Sequence, residues 1–244
     1  MTRNPCKVLA LAALVALPMA ASAQLSANVS LTTNYKYRGQ DQNVRDGKFL
    51  PALQGGFDYA HASGFYIGNW NSTIDFGTPS GGNLEMDLYG GYRFALSDFA
   101  FDVGALRYQY PGLSVANTTE LYGAVTWGPV TAKYSHTVTD GYFGVGKATN
   151  DGRGTGYFNV AYAQEIFPKT TLKAGLGYTN FKGAVNNAGV PDYTDYSLGL
   201  AYDLGDGFSL AGAFVGANKK GSFLKPSGES VNQNVLLVTL TKTM

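Results

Sequence analysis

His61 and His136 are the only histidines in this chain of 244 residues, and they are the first candidates to weigh for general-base chemistry near neutral pH. Ser135 directly precedes His136, and a serine beside a histidine suggests hydrolysis of an outer-leaflet lipid. The surrounding "PVTAKYSHTV" alternates as a strand does, however, and consecutive strand side chains face opposite sides. Ser135 and His136 therefore cannot meet at one reacting atom. His61 lies in "HASG" at 61–64, which reads as a tight turn at the wrong side of a membrane for that reaction. No enzymatic activity is expected. "GVGKAT" and "DGRGTG" share only glycine content with phosphate-binding loops and lack the strand–loop–helix setting. "NVS", "NST" and "NTT" match glycosylation acceptors, as Ser- and Thr-rich strands do by chance. The acidic residues are scattered rather than set at calcium-loop spacing, so neither a metal nor a cofactor is expected.

The charged residues carry a different chemistry. In "NLEMDLYGGYRF" at 83–94, Leu84, Met86, Leu88, Tyr92 and Phe94 share one parity, and Glu85, Asp87 and Arg93 share the other. Such a ribbon has one apolar and one charged face. If the apolar face packs a core, the chain is a soluble sandwich; if it faces lipid, the charges line a cavity. By the same phase, Lys36, Arg38, Asp58, Glu85, Asp87, Arg93, Asp102, Glu120, Lys133 and Lys173 are the candidates to line that cavity. Five are basic and five acidic, a balance that forbids a strong single-sign field.

These residues need strands to position them, and the composition supplies strands. Tyr (17), Phe (14) and Gly (32) are abundant, while only 14% of residues are charged. Residues 1–23 stand apart. Arg3 and Lys7 precede the apolar "VLALAALVALPMA", and "ASA" offers a cleavage site, which is the order of a secretory signal peptide. Cleavage after Ala23 removes Cys6, leaving no thiol in residues 24–244. Of 18 basic residues, Arg3 and Lys7 leave with it, so 16 remain against 17 acidic, and nucleic acid is not an expected partner.

From residue 24 onward the chain reads as about twelve strands, each near the length that crosses a bilayer at a tilt. The first runs through "LSANVSLTTNYKYR", with Tyr35 and Tyr37 on its apolar parity and Lys36 and Arg38 on the other. "FAFDVGALRYQY" changes parity midway, which predicts a bulge. The connections alternate in length: "GQDQNVRDG" is long, "HASG" short, "GTPSGGN" longer, "ALSD" short, and so on to the long "ANKKGSFLKPSGESVNQ". A sandwich has no reason to keep that alternation, whereas an up-and-down barrel in an outer membrane keeps tight turns on the periplasmic side. The expected fold is an all-β, transmembrane, antiparallel up-and-down β-barrel spanning 24–244. Tyr35, Tyr37, Phe49, Tyr59, Phe65, Tyr92, Phe94, Phe99, Tyr108 and Trp127 are expected in its interfacial girdles.

The segments "YKYRG", "GGFDYAHASGFYIGNW", "NLEMDLYGGYRF", "YQYPG" and "TELYGA" make the chain resemble the TorF-like family of bacterial porins. The resemblance covers most of residues 24–244, is strongest in the first half, and implies an outer-membrane location and a channel. It brings no catalytic set. The end departs from the usual outer-membrane pattern, since Met244 stands where an aromatic is common. The leading expectation is passive diffusion of small hydrophilic solutes. One alternative is a closed barrel whose loops bind a partner; another is a soluble secreted or periplasmic β-sandwich. The expected partners are outer-membrane lipid, small hydrophilic solutes and, during biogenesis, the barrel-assembly machinery.

Overall fold

The structure, a computed structural model, describes residues 24–47, 49–77, 81–149 and 152–244. The expected signal peptide at 1–23 lies outside them. The strands are β1 (Gln24–Thr32), β2 (Lys36–Tyr37), β3 (Gln40–Asp41), β4 (Ala52–Ala60), β5 (Phe65–Thr73), β6 (Leu84–Leu96) and β7 (Phe99–Gln109). They continue with β8 (Thr118–Trp127), β9 (Val130–Thr137), β10 (Gly156–Phe167), β11 (Thr170–Asn180), β12 (Tyr193–Gly205), β13 (Phe208–Ala217) and β14 (Val235–Thr243). All but β2 and β3 form one closed, 12-stranded antiparallel barrel in which each strand pairs with its neighbours in sequence. Leu31 of β1 pairs with Leu53 of β4 on one side and Leu240 of β14 on the other, so the sheet closes without a free edge. The sandwich alternative is excluded by this closure.

Side-chain alternation sorts the sequence onto two surfaces. Leu198 pairs with Ala174 and Phe214, and Val125 with Phe101 and Ala132; all point outward. The outer face is greasy: Leu25 is 70% exposed, Leu236 66% and Leu198 57%. At one end of the barrel the connections are short, at 61–64, 97–98, 128–129, 168–169 and 206–207. Left-handed backbone at Ser97 (φ 53°), Lys169 (φ 63°) and Asp206 (φ 51°) makes several of these tight. The other end carries every long connection. We refer to these as the turn end and the loop end.

The core lies inside the barrel, toward the loop end. Tyr142, Phe181, Val185, Tyr193 and Ala217 form one buried cluster, and Ile74, Tyr108, Tyr110 and Ala116 form another. Phe143 packs against both. Its ring is 4.8 Å from that of Tyr108 and 4.7 Å from that of Tyr142, centroid to centroid, and its backbone is left-handed (φ 49°). The loop between β9 and β10 thus dips into the barrel mouth.

Three expectations require correction. The first strand does not continue to Arg38. β1 stops at Thr32, and the chain turns inward to form the small β2–β3 hairpin, with Lys36 opposite Asp41. Alternation persists through the bend, so phase alone could not reveal it. Consequently Tyr35, Tyr37 and also Tyr108 belong to the interior clusters rather than an outer girdle. Finally, β7 has no bulge. Its register with β6 and β8 is unbroken from Phe99 to Tyr108, which turns Leu106 inward and Arg107 outward. The irregularities lie instead at Glu165/Phe167 and Asp203/Gly205.

Candidate functional site

The lumen gathers the charged residues that strand phase singled out, but it uses most of them up in internal pairs. Arg38 sits at the tip of the inner hairpin in left-handed backbone (φ 47°), followed by Gly39 (φ 75°). Its guanidinium grips Glu120 of β8 with two near-parallel bonds, Nη1 to Oε1 at 2.9 Å and Nη2 to Oε2 at 2.7 Å. Nη1 also donates to the Tyr142 hydroxyl at 2.8 Å, and the guanidinium lies 4.0 Å from the centre of the Tyr157 ring. Burial raises the Tyr142 hydroxyl's pKa, so it stays protonated. Gly39 shows how tightly the tip is wedged. A Cβ there would lie 2.7 Å from the Gly216 carbonyl oxygen and 2.8 Å from the Asp195 Cβ. The hairpin therefore bridges the lumen from β8 to the β12–β13 wall.

The base of the hairpin is held by a second knot. The fully buried Lys36 ammonium lies 2.9 Å from Asp41 and donates to the Gln233 carbonyl at 2.6 Å and the Val231 carbonyl at 3.0 Å. Lys225, also fully buried, reaches Asp41 at 3.2 Å and donates to the Arg45 carbonyl at 2.8 Å. Two ammonium groups around one carboxylate tie the hairpin to the long connection before β14. A cavity of about 240 Å³ opens beside the hairpin, lined among others by Tyr35, Gln42, Asn43 and Asn83, and none of the ten candidates lines it.

Deeper in the barrel a network runs along the inner face of β4–β9. Arg93 donates to Asp102 at 3.2 Å and stacks 4.0 Å over the Tyr66 ring. Tyr66 donates to Asp102 at 2.5 Å and also bonds the Tyr122 hydroxyl; the Lys133 ammonium lies 3.9 Å from the centre of the Tyr122 ring. Tyr89 donates to Asp58 at 2.6 Å. Each ring lies flat because a glycine stands opposite it. Cross-strand pairing sets Tyr89 against Gly68, Tyr66 against Gly91 and Tyr122 against Gly104. A Cβ on any of these glycines would come within 2.6 Å of the ring or its hydroxyl. Across the lumen, Ala161, Gly175, Ser197, Gly199, Ala211 and Ala213 make the β10–β13 wall shallow, and Lys173 projects from it between Ala163 and Gly199.

Glu85 and Asp87 stand on the inner face of β6 among aromatic rings. Tyr35 donates to Glu85 at 3.2 Å, and Glu85 Oε2 and Asp87 Oδ1 have no hydrogen-bond partner among the described residues. All ten candidates thus point into the barrel, Lys36 and Arg38 from the hairpin and the other eight from the wall. Phase did not identify Asp41, Lys225 or Asp195. It also passed over Tyr66, Tyr89, Tyr122 and Tyr157, although aromatic residues on the charged parity were the available signal. His136 faces outward, with Leu121 and Gly156, while Ser135 faces inward, as consecutive strand positions must. His61 Nδ1 lies 2.7 Å from Ser63 Oγ within the tight turn.

The family description "bacterial protein of unknown function (Gcw_chp)" has a sequence model that matches residues 18–244. The chain belongs to the Gcw_chp family. No curated protein matches this Gcw_chp chain in sequence. Among solved structures, its fold is similar to the NanC porin, with a TM-score of 0.59, 9% identity, and coverage of 90% of this chain and 98% of that one. It is also similar to the KdgM porin, with a TM-score of 0.56, 9% identity, and coverage of 89% and 98%. A KdgM porin in complex with disordered oligogalacturonate gives a TM-score of 0.53 at 8% identity, covering 90% and 98%. At this identity the likeness concerns the fold.

Proposed function

We propose that this Gcw_chp protein is an exported outer-membrane channel for small hydrophilic solutes, closed at rest by its inner hairpin. The observation that carries the reading is the division of surfaces: a closed barrel with an apolar outer wall and a charged, tyrosine-rich inner wall. A soluble protein rarely leaves so much contiguous apolar surface in water, and in a bilayer the same surface is satisfied by lipid. The turn end then faces the periplasm and the loop end the exterior. The similarity in fold to two porins supports this reading, as does the resemblance to TorF-like porins, a kinship we propose at the same level. Small neutral or zwitterionic solutes suit the lumen, since Arg38–Glu120 and Arg93–Asp102 neutralise one another.

The hairpin also favours a second reading, in which the barrel never opens and its loops bind a partner. Planar-bilayer recording separates the two. Protein refolded from residues 24–244 should give brief, small-conductance openings, and Arg38→Ala should lengthen them. Silence from both proteins, each verified as folded, would leave the closed barrel as the better account.

A further inference from the structure

Arg107 is an outward-facing cation on a wall that offers it no counter-ion. The unbroken β6–β7–β8 register places it beside Leu88 on one side and Thr119 on the other. Its Nε and Nη2 donate to Gln109 Oε1, both at 3.3 Å, and its Nη1 to Thr119 Oγ1 at 3.0 Å. A guanidinium carries five N–H donors, so two remain for another acceptor. Among the described residues no carboxylate lies within ion-pair distance of it. The group is half-buried and held in a fixed fork by two neutral neighbours.

Height decides which acceptor it meets. Arg107 is eight residues along β7 from Phe99 at the turn end. At a strand rise of about 3.3 Å and a tilt of about 40°, that is roughly 20 Å up an apolar band about 25 Å tall. In the membrane orientation proposed above, on which this inference rests, Arg107 reaches the outer-leaflet boundary. A charge there needs a partner. A second copy of the barrel is a poor one: no outward position in the paired strands is an aspartate or glutamate. Lipid headgroup phosphates lie at this level, and a guanidinium fork matches them.

We propose that Arg107, fixed by Gln109 and Thr119, is a binding site for the phosphate of an outer-leaflet lipid headgroup. The test uses the barrel refolded in dodecyl maltoside micelles, with bound lipid counted by native mass spectrometry. The probes are lipid A bearing both phosphates, dephosphorylated lipid A and inorganic phosphate. Wild type should retain the phosphorylated lipid, Arg107→Gln should lose about tenfold in affinity, and Arg107→Lys should fall between. Dephosphorylated lipid should bind both proteins weakly and equally. Equal retention of phosphorylated lipid by wild type and Arg107→Gln overturns the site. So does displacement of that lipid by equimolar inorganic phosphate, which would make it a free-anion site, or a dimer that Arg107→Gln abolishes. Heat-modifiable migration of each protein is scored separately. Its absence in wild type would count against the membrane reading, whereas its presence without lipid preference sinks this inference alone.

Discussion

Arg38 and Glu120, 82 residues apart in sequence, form a two-bond ion pair that fastens the tip of an inward hairpin to the β8 wall. Their side chains are only 5% and 2% exposed, so neither charge is well hydrated. Removing one partner leaves the other charged and stranded, which costs about 3–5 kcal/mol, whereas replacing both by apolar groups is often neutral. The pair therefore holds the hairpin as a latch, in which each residue depends on the other.

Glu120→Ala and Arg38→Ala should each destabilise the seated hairpin far more than the double substitution Arg38→Met/Glu120→Leu. Protease cleavage within 39–47 of the refolded barrel measures this, because an unseated hairpin is accessible. Equal cleavage of the single and double variants would show that the ion pair does not couple the tip to β8.

Glycines beneath tyrosines should be intolerant of even one carbon. A Cβ at Gly91 would lie 2.4 Å from the Val103 carbonyl oxygen and 2.6 Å from the Tyr66 hydroxyl. Gly91→Ala must therefore shift backbone or lift Tyr66 from its bond to Asp102, at a cost of about 1–3 kcal/mol. Gly123 faces outward and a Cβ there meets nothing within 4 Å, so Gly123→Ala should be near neutral. The midpoint of heat-induced unfolding, read by the gel shift of the folded barrel, compares them. Similar midpoints would refute the packing account.

Most of the wall was legible because its rule is local. Leu121, Val125 and Trp127 alternate with Glu120 and Tyr122, and the barrel needs nothing further to orient them. The plug was not legible, because it depends on partners remote in sequence. Lys36 is anchored by carbonyls at 231 and 233, and Arg38 by Glu120, and neither contact leaves a trace in the residues around 36. β7 shows the opposite failure. The sequence around Arg107 breaks the alternation, and a bulge is the economical reading of such a break. The structure keeps the register and accepts a guanidinium on the outer wall.

The apolar belt predicts a depth-dependent penalty for charge. Leu198, outward and central on β12, is flanked by Ala174 and Phe214, and Leu204 lies beside the turn at 206–207. Leu198→Arg should cost about 2–4 kcal/mol of folding into liposomes, and Leu204→Arg no more than about 1 kcal/mol. Leu88 is a less suitable probe, since an arginine there would stand next to Arg107. Urea titration in phospholipid vesicles measures both differences. Equal penalties at 198 and 204 would remove the bilayer from the explanation of this surface.

The loop end carries its own acid-sensitive fastening at Asp192. Burial opposes the charged form, but hydrogen bonds outweigh it, and the net effect lowers the carboxyl's pKa below its usual value of 3.8. Asn186 donates at 2.9 Å, the Phe181 backbone at 2.8 Å, and Tyr178 and Asn180 each at 2.9 Å. These bonds tie the short helix α1 (Gly183–Asn187) to the end of β11. A carboxylate with a folded pKa below its unfolded one stabilises the fold above the unfolded value, and the contribution disappears as pH falls through the folded value. The 181–192 loop should thus be equally protected at pH 7 and pH 5 and loosen below about pH 4. Amide hydrogen exchange of that segment, corrected for the intrinsic pH dependence, should show protection falling in acid for wild type. In Asp192→Asn, protection should start lower and stay flat. An acid-induced loss of the same size in Asp192→Asn would assign the transition to other groups.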